Sequence, residues 1–258
     1  MTEAATFREQ AASATAWNVL IAISLCHMIN DIMQSMLAAI YPLLQQEFTL
    51  SYWQIGLMTF AFQVTASLLQ PVVGMITDKK PMPRSLSVGM GSTFFGVLLL
   101  ALAHEYWVLL TGAMLIGIGS AVFHPESSRV ARIASGGRFG TAQSLFQLGG
   151  NFGTALGPLL AAFIVVPLGR PSVAIFSVAA MLGSAILWRV GTWAEGRRRA
   201  GGHKPVAPSP FSRQRVAMAI VVLALLTFTK NIYTTSISSY YTFFLIEKFE
   251  LTTQQAQL

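Results

Sequence analysis

A small set of polar side chains interrupts a long apolar stretch near the start of this sequence. Counted from His27, the residues Asn30, Asp31 and Gln34 lie three, four and seven positions later, which places all four on one face of a helix. An ionisable group inside a bilayer costs at least about 2.5–3.5 kcal/mol on insertion scales, so this face must line a cavity. Asp31 is suited to carry a proton and His27 to relay it, with Asn30 and Gln34 as substrate contacts. The alternative is a hydrogen-bonded pair that only ties this helix to a neighbour.

A second group of ionisable residues lies in the fourth apolar stretch. Glu126 and Arg129 are three residues apart, a spacing at which the two side chains can form a salt bridge on one helix. The simplest interpretation is that they have no further role. The functional interpretation makes Glu126 and His124 further proton carriers and lets Arg129 attract an anionic substrate. Arginine suits this role because its planar guanidinium binds carboxylate or phosphonate oxygens through two hydrogen bonds.

The seventh apolar stretch contains one base, Lys230, together with Tyr233 and Tyr240. These three residues, and Asn151 in the fifth stretch, are candidates for substrate binding. Lys230 could instead pair with Asp31 across a cavity. Tyr240 could be one of the aromatic residues that gather at a membrane interface.

The composition indicates what kind of structure positions these side chains. Of the 258 residues, 53% are hydrophobic and 10% are charged, whereas a typical soluble domain has about 25% charged residues. This excludes an ordinary soluble enzyme, and the high hydrophobicity excludes a disordered chain. A membrane protein with several spans remains. Cys26 is the single cysteine, so an intrachain disulfide and a cysteine metal cluster are excluded as well.

Seven stretches are long and apolar enough to cross a bilayer as helices, which takes about 20 residues. They are predicted at residues 17–44, 53–77, 85–103, 106–132, 139–166, 171–193 and 216–246. The predicted organisation is a cytoplasmic tail at 1–16, a six-helix bundle at 17–193, a basic cytoplasmic linker at 194–215 and the first helix of a second, truncated bundle at 216–258. The linker is predicted from its Gly, Pro and Arg content.

The distribution of Lys and Arg predicts the orientation in the membrane. With the N-terminus in the cytoplasm, 14 of the 17 basic residues lie in cytoplasmic segments, and two, Arg170 and Lys248, lie outside. Seven spans then place the end of this chain in the periplasm. The net charge of +7 is explained by contact with the anionic headgroups of the lipid bilayer, so nucleic acid is not an expected partner.

The loop after the second stretch carries a first family motif. Gly74, Asp78, Lys79 and Arg84 resemble the loop between helices two and three of the major facilitator superfamily, whose pattern is G-x-x-x-D-(R/K)-x-G-(R/K)-(R/K). Pro81 stands where that pattern has its second glycine. The resemblance implies that Asp78 pairs with a base to hold the cytoplasmic side closed and that Gly74 permits close helix packing. The alternative is a turn whose charges only set the topology.

Two further motifs lie in the fourth and fifth stretches. Gly117, Gly119 and Pro125 match the superfamily's fourth-helix pattern, but Ala113 stands where many members have an arginine linked to proton coupling. In the fifth stretch, the residues Gly153, Gly157 and Pro158 resemble the G-x-x-x-G-P motif of drug/proton antiporters. Small residues one turn apart let a neighbouring helix approach, and a proline can bend its own helix. Plain helix packing is the alternative.

Three more strings, Leu25–Asp31, His124–Arg129 and Ser236–Tyr241, resemble carriers of this superfamily that export an anionic phosphonate drug. The resemblance covers about residues 17–258. It implies an all-α transmembrane fold with two inverted three-helix repeats, followed by the first helix of a second half. It also implies proton-coupled efflux by alternating access in a bacterial inner membrane, with the proton gradient in place of a cofactor. Family members have about twelve spans, so the missing half or a second copy is expected to complete the cavity.

Three other functions remain open at this point. A proton-coupled importer of organic anions would have the same fold. A seven-helix receptor fits the number of spans, although the basic linker separates the seventh helix from the other six. A membrane enzyme is a distant third, because no nucleophile and base can be paired and no phosphate-binding glycine loop is present. Asp31, Asp78 and Glu126 do not have the spacing of metal ligands, so no metal is expected.

Overall fold

A computed structural model describes residues 15–80, 82, 84–201 and 211–257, with the backbone alone for residues 200 and 201. Seven helices in this part of the chain are long and apolar enough to cross a membrane, which confirms the predicted fold class. Numbered as spans one to seven, they are Trp17–Ala39, Tyr52–Lys79, Ser85–Leu102, Tyr106–Ala134, Phe139–Leu168, Arg170–Arg199 and Arg213–Phe249. The end of the bundle at which span one begins is called the N-side below.

The predicted first stretch, 17–44, is two helices in the structure. Span one ends at Ala39, and a short helix, Tyr41–Phe48, follows. The junction is at Ile40, and Pro42 occupies the first turn of the short helix. A proline there lacks the N–H that would continue the hydrogen bonding of span one, but it is well tolerated where a new helix starts.

Spans two and five each contain a π-helical turn, at Val64–Leu68 and Ala161–Val165. The second of these follows Pro158, and a proline removes one backbone hydrogen bond of a regular α-helix. Such turns mark places where a helix departs from its regular repeat. The turn in span two lies near the middle of the span, and the turn in span five lies close to its end.

The predicted linker at 194–215 is partly helical. The helix of span six continues from Ala174 to Gly201, because Ala, Glu and Arg are strong helix formers and Glu195 pairs with Arg199 one turn later. Span seven begins at Arg213, where the hydroxyl of Ser212 accepts a hydrogen bond from a backbone N–H. The remaining predicted linker residues, 202–210, lie outside the described residues, as do residues 1–14 of the predicted tail.

Span five lies directly against span one along a row of glycines. A Cβ atom at Gly149, Gly153 or Gly157 would overlap atoms of Ser24, Met28 and Ser35, respectively, in span one. The absence of side chains on this face lets the two backbones approach closely, as small residues do in membrane helix pairs. This contact places span five beside the polar face of span one.

Two apolar cores occupy the two ends of the six-helix bundle. One core, on the N-side, includes Leu20, Ile23, Cys26 and Phe123. The other core begins at Ile32 and fills the opposite end. The polar residues of span one between Cys26 and Ile32 therefore lie in a layer between two tightly packed cores.

Span seven contacts the bundle only through its last turns in the described part of the chain. Phe243 is buried there, and the hydroxyl of Tyr52 donates a hydrogen bond to Glu247. The rest of span seven exposes a long apolar surface. Its exposed side chains include Met218, Ile220, Leu223, Leu226, Phe228 and Ile232.

Candidate functional site

The structure brings His124 of span four to the polar face of span one. The Nε2 atom of His124 lies 3.3 Å from Nε2 of His27 and 3.9 Å from one carboxylate oxygen of Asp31. The other oxygen of Asp31 lies 3.4 Å from Nε2 of His27. These three side chains, called the triad below, join spans one and four. His27 and His124 are 97 positions apart in the chain.

Hydrogen bonds to the backbone determine the tautomers of both histidines. Nδ1 of His27 lies 2.8 Å from the carbonyl oxygen of Phe146, and Nδ1 of His124 lies 3.0 Å from that of Ser120. A carbonyl oxygen can only accept, so each Nδ1 carries a hydrogen and donates it. In a neutral imidazole the Nε2 atom then has a free lone pair. Two lone pairs and a carboxylate therefore face one another.

The ring of His27 is held in place by span five. It stacks on the ring of Phe146 with centroids 4.1 Å apart, and its side chain is buried. A Cβ atom at Gly150 would lie 2.6 Å from His27 Nε2 and 2.9 Å from an oxygen of Asp31. The lack of a side chain at position 150 thus creates the space that the triad occupies.

The carboxylate of Asp31 has further polar neighbours on its own helix. Asn30 Nδ2 donates to it at 3.1 Å and Gln34 Nε2 at 3.0 Å. The hydroxyl of Ser120 donates to the amide oxygen of Gln34 at 3.1 Å. Asn30 and Gln34, predicted to contact a substrate, therefore also orient Asp31 and connect it to span four.

A second charged cluster lies nearer the N-side end of span four. The guanidinium of Arg129 donates to the carboxylates of both Glu126 and Asp78. The Glu126 side chain is 1% exposed, whereas that of Asp78 at the end of span two is 74% exposed. The predicted helix pair of Glu126 and Arg129 is thus present, and it has a third member from the loop motif. The cluster joins spans two and four.

The other residues of the loop motif are placed differently. Arg84 lies 3.6 Å from Glu195 and stacks over Trp188 of span six, so it does not contact Asp78 among the described ion pairs. Among the described residues a Cβ atom at Gly74 would meet nothing within 4 Å, so no described helix packs closely on it. The close packing predicted for Gly74 therefore stays a prediction. Lys79 is exposed at the end of the helix.

The predicted substrate residues outside spans one and four do not join the triad. Lys230 and Tyr233 lie on the exposed surface of span seven, and the predicted alternative pair of Lys230 with Asp31 is absent from the described ion pairs. Asn151 is exposed beside Gln147, the neighbour with which it forms a hydrogen bond. Tyr240 is exposed, and its hydroxyl lies near Gly56 of span two.

Sequence reasoning missed three residues that shape the site: Ser120, Phe146 and Gly150. Ser120 precedes His124 by four residues, so their contact follows from helix periodicity alone. The carbonyl of Phe146 and the empty Cβ position of Gly150 act through the packing of span five on span one. The consecutive glycines at positions 149 and 150, followed by Gly153 and Gly157, were the available signal for that packing.

Known proteins resemble this chain over nearly its whole length. Residues 23–257 match the family model of the Major Facilitator Superfamily. The fosmidomycin resistance protein of Escherichia coli (strain K12) is 54% identical over 246 residues, which are 95% of this chain and 61% of that protein. The uncharacterized MFS-type transporter YfnC of Bacillus subtilis (strain 168) is 37% identical over 96% of this chain and 62% of its own length. The chain thus spans about three fifths of these relatives.

Solved structures give the same fold. A crystal structure of a bacterial homologue of the human lysosomal transporter Spinster, inward-facing and occupied, has a TM-score of 0.72 at 18% identity. It covers 93% of this chain and 56% of that one. The relative from E. coli confirms the predicted resemblance to a drug-resistance protein of this superfamily. The chain therefore belongs to the major facilitator superfamily of multi-pass membrane transporters.

Proposed function

We propose that this chain provides the first six helices and the seventh helix of an antiporter that exports fosmidomycin or a similar anionic molecule. The carrier works by alternating access in a bacterial inner membrane, with the N-terminus in the cytoplasm, and the proton gradient drives it without a cofactor. The observation that carries the proposal is the 54% identity to the fosmidomycin resistance protein over 95% of the chain. The 14-to-2 distribution of basic residues supports the orientation.

The arrangement of Arg129 supports an anionic substrate that enters from the N-side. Its guanidinium binds two carboxylates, one buried at Glu126 and one exposed at Asp78. An incoming phosphonate would compete with the exposed carboxylate, because both bind the same planar donor group. Loss of the Asp78 contact would remove the ion pair that joins the N-side ends of spans two and four. Substrate entry and opening of the gate would then be one event.

The exposed Lys230 within span seven supports a further partner within the carrier, because a charged group inside the bilayer is costly unless it faces protein or water. Spans one to six each bury part of their surface in the bundle, whereas span seven leaves nearly all of its surface exposed. We expect the second half of the carrier, or a second copy of this chain, to cover that surface and to complete the substrate cavity. Lys230 and Tyr233 would then face that half.

A resistance assay tests the proposal directly. A fosmidomycin-sensitive Gram-negative strain would express this chain, or the longest reading frame that contains it, with and without a protonophore. Resistance that the protonophore abolishes is the expected result. Normal sensitivity despite confirmed membrane insertion of both proteins would contradict export of fosmidomycin.

The second candidate function is import of an organic anion by the same fold. An importer would use Arg129 in the same position as an exporter and would differ only in the direction of net substrate flux. Counterflow measured in inside-out and right-side-out vesicles separates the two. Net accumulation of the drug in inside-out vesicles is expected for the exporter.

A further inference from the structure

We propose that His27, Asp31 and His124 form a binding site for a divalent transition-metal ion such as Zn²⁺, held within the bilayer by spans one and four. This site adds to the proposed export function and does not rest on it. Linear spacing hides the site, because the ligands come from two helices. Taking one donor atom from each residue, all three atoms lie within 4.8 Å of one another.

Two of the three distances between the donor atoms fit a tetrahedral ion. Metal–ligand bonds of about 2.0–2.2 Å place neighbouring tetrahedral donors about 3.3–3.6 Å apart. The two Nε2 atoms are 3.3 Å apart, and Nε2 of His27 is 3.4 Å from Asp31. The carboxylate directs its other oxygen at His124 from 3.9 Å. The carboxylate would have to turn so that one oxygen faces both Nε2 atoms and becomes the third ligand.

The hydrogen bonds around the triad are those of metal-binding histidines. A histidine that binds a metal usually donates its other ring N–H to a carbonyl or a carboxylate, which fixes the tautomer and orients the ring. Both histidines do so here, to the carbonyl oxygens of Phe146 and Ser120. Asp31 is oriented in turn by the amides of Asn30 and Gln34. Each ligand therefore has a second partner that holds it toward the centre.

The charge at the triad also favours a cation. Two neutral imidazoles and one carboxylate have a net charge of −1, and in the described part of the chain no Lys or Arg forms an ion pair with Asp31. Two lone pairs 3.3 Å apart beside an anion repel one another, and either a proton or a metal ion between them removes that repulsion. Two imidazole nitrogens and one carboxylate oxygen are a ligand set that suits Zn²⁺.

The triad is partly open at one edge. Gly150 contributes no side chain where a Cβ atom would meet His27 and Asp31. The side chains of His124 and Asp31 are 28% and 16% exposed, while that of His27 is buried. The open edge of the triad thus leaves room for a fourth ligand, which water or an anionic oxygen of a substrate can supply.

Metal binding to the purified protein tests the site without any transport. The longest reading frame that contains this chain would be purified through a tag without histidines and placed in lipid nanodiscs. Zn²⁺ binding would be measured by titration calorimetry. The visible absorption of Co²⁺ would report whether the ion is tetrahedral. The variants are Asp31→Asn, His27→Asn and His124→Asn, and the matched control is His104→Ala, an exposed histidine outside the spans.

The expected result is one equivalent of Zn²⁺ bound by the native protein and by His104→Ala. Each triad variant should bind at least about tenfold more weakly. Asp31→Asn is nearly isosteric, so it keeps the test informative if a histidine variant fails to fold by size-exclusion chromatography. The inference is overturned if folded native protein binds no Zn²⁺, or if binding survives in folded Asp31→Asn. Metal binding without drug resistance would refute the export proposal alone. Drug resistance without metal binding would refute the metal site alone.

Discussion

The triad and the Arg129 cluster each link span four to another span, yet they differ in how they are held. The triad lies between two apolar cores, with each histidine bound to a backbone carbonyl and Asp31 bound to two amides. The Arg129 cluster reaches from a buried glutamate to an aspartate that is 74% exposed. Fixed donor atoms suit the binding of a small ion. A contact through a long side chain to an exposed partner suits a gate that opens and closes.

The largest effect is expected from Asp31→Asn on drug resistance. This substitution removes the one carboxylate that the described residues place in the triad, while the amide keeps the shape of the side chain. We expect resistance to fall to the level of an empty vector when the full reading frame is expressed. Membrane abundance of the variant, measured by blotting, is the control. Full resistance at normal abundance would show that the polar layer is only structural.

Arg129→Gln should be the most destabilising change in the Arg129 cluster. It leaves the buried Glu126 without its partner, and an uncompensated buried charge costs about 3–5 kcal/mol. The free energy of unfolding in detergent would be compared with that of the double variant that also carries Glu126→Gln. Recovery of most of the lost stability in the double variant is expected. No recovery would mean that Glu126 is not the residue that Arg129 neutralises.

Gly150→Ala tests the space that the triad requires. The added methyl group would overlap His27 and Asp31, and overpacking of a closely packed site costs about 1–3 kcal/mol. Gly140→Ala is the matched control on the same span, since a Cβ atom there meets nothing within 4 Å. Thermal melting of both variants in nanodiscs checks the difference. Equal melting temperatures would mean that span five does not confine the triad.

The smallest effect on stability is expected from Asp78→Asn. The side chain is largely exposed, and exposed ion pairs contribute about 0–1 kcal/mol. Its effect should appear in transport instead, as a change in how often the N-side opens. Labelling of a cysteine introduced beside Arg129 by a membrane-impermeant reagent would measure that opening. If Asp78→Asn lost as much stability as Arg129→Gln, the exposed Asp78 and the buried Glu126 would not differ in how they bind Arg129.

Part of the candidate site follows from helix periodicity. The polar face of span one, the pair of Glu126 with Arg129 and the glycine row of span five all depend on offsets of three, four and seven residues along one helix. Such offsets are visible in a single sequence. The position of His124 against His27 is not, because it depends on how two helices far apart in the chain are rotated and displaced against each other.

The sequence by itself determined the membrane class, the seven spans and the helical face on which Asp31 lies, since these depend on local composition and on a fixed helical repeat. Only the tertiary structure decided which side chains meet. It joined His124 to Asp31, gave Arg129 its second carboxylate and left Lys230 on an exposed surface. The physical reason is that contacts between helices depend on close approach at positions such as Gly150. Spacing within one helix carries no information about its neighbour.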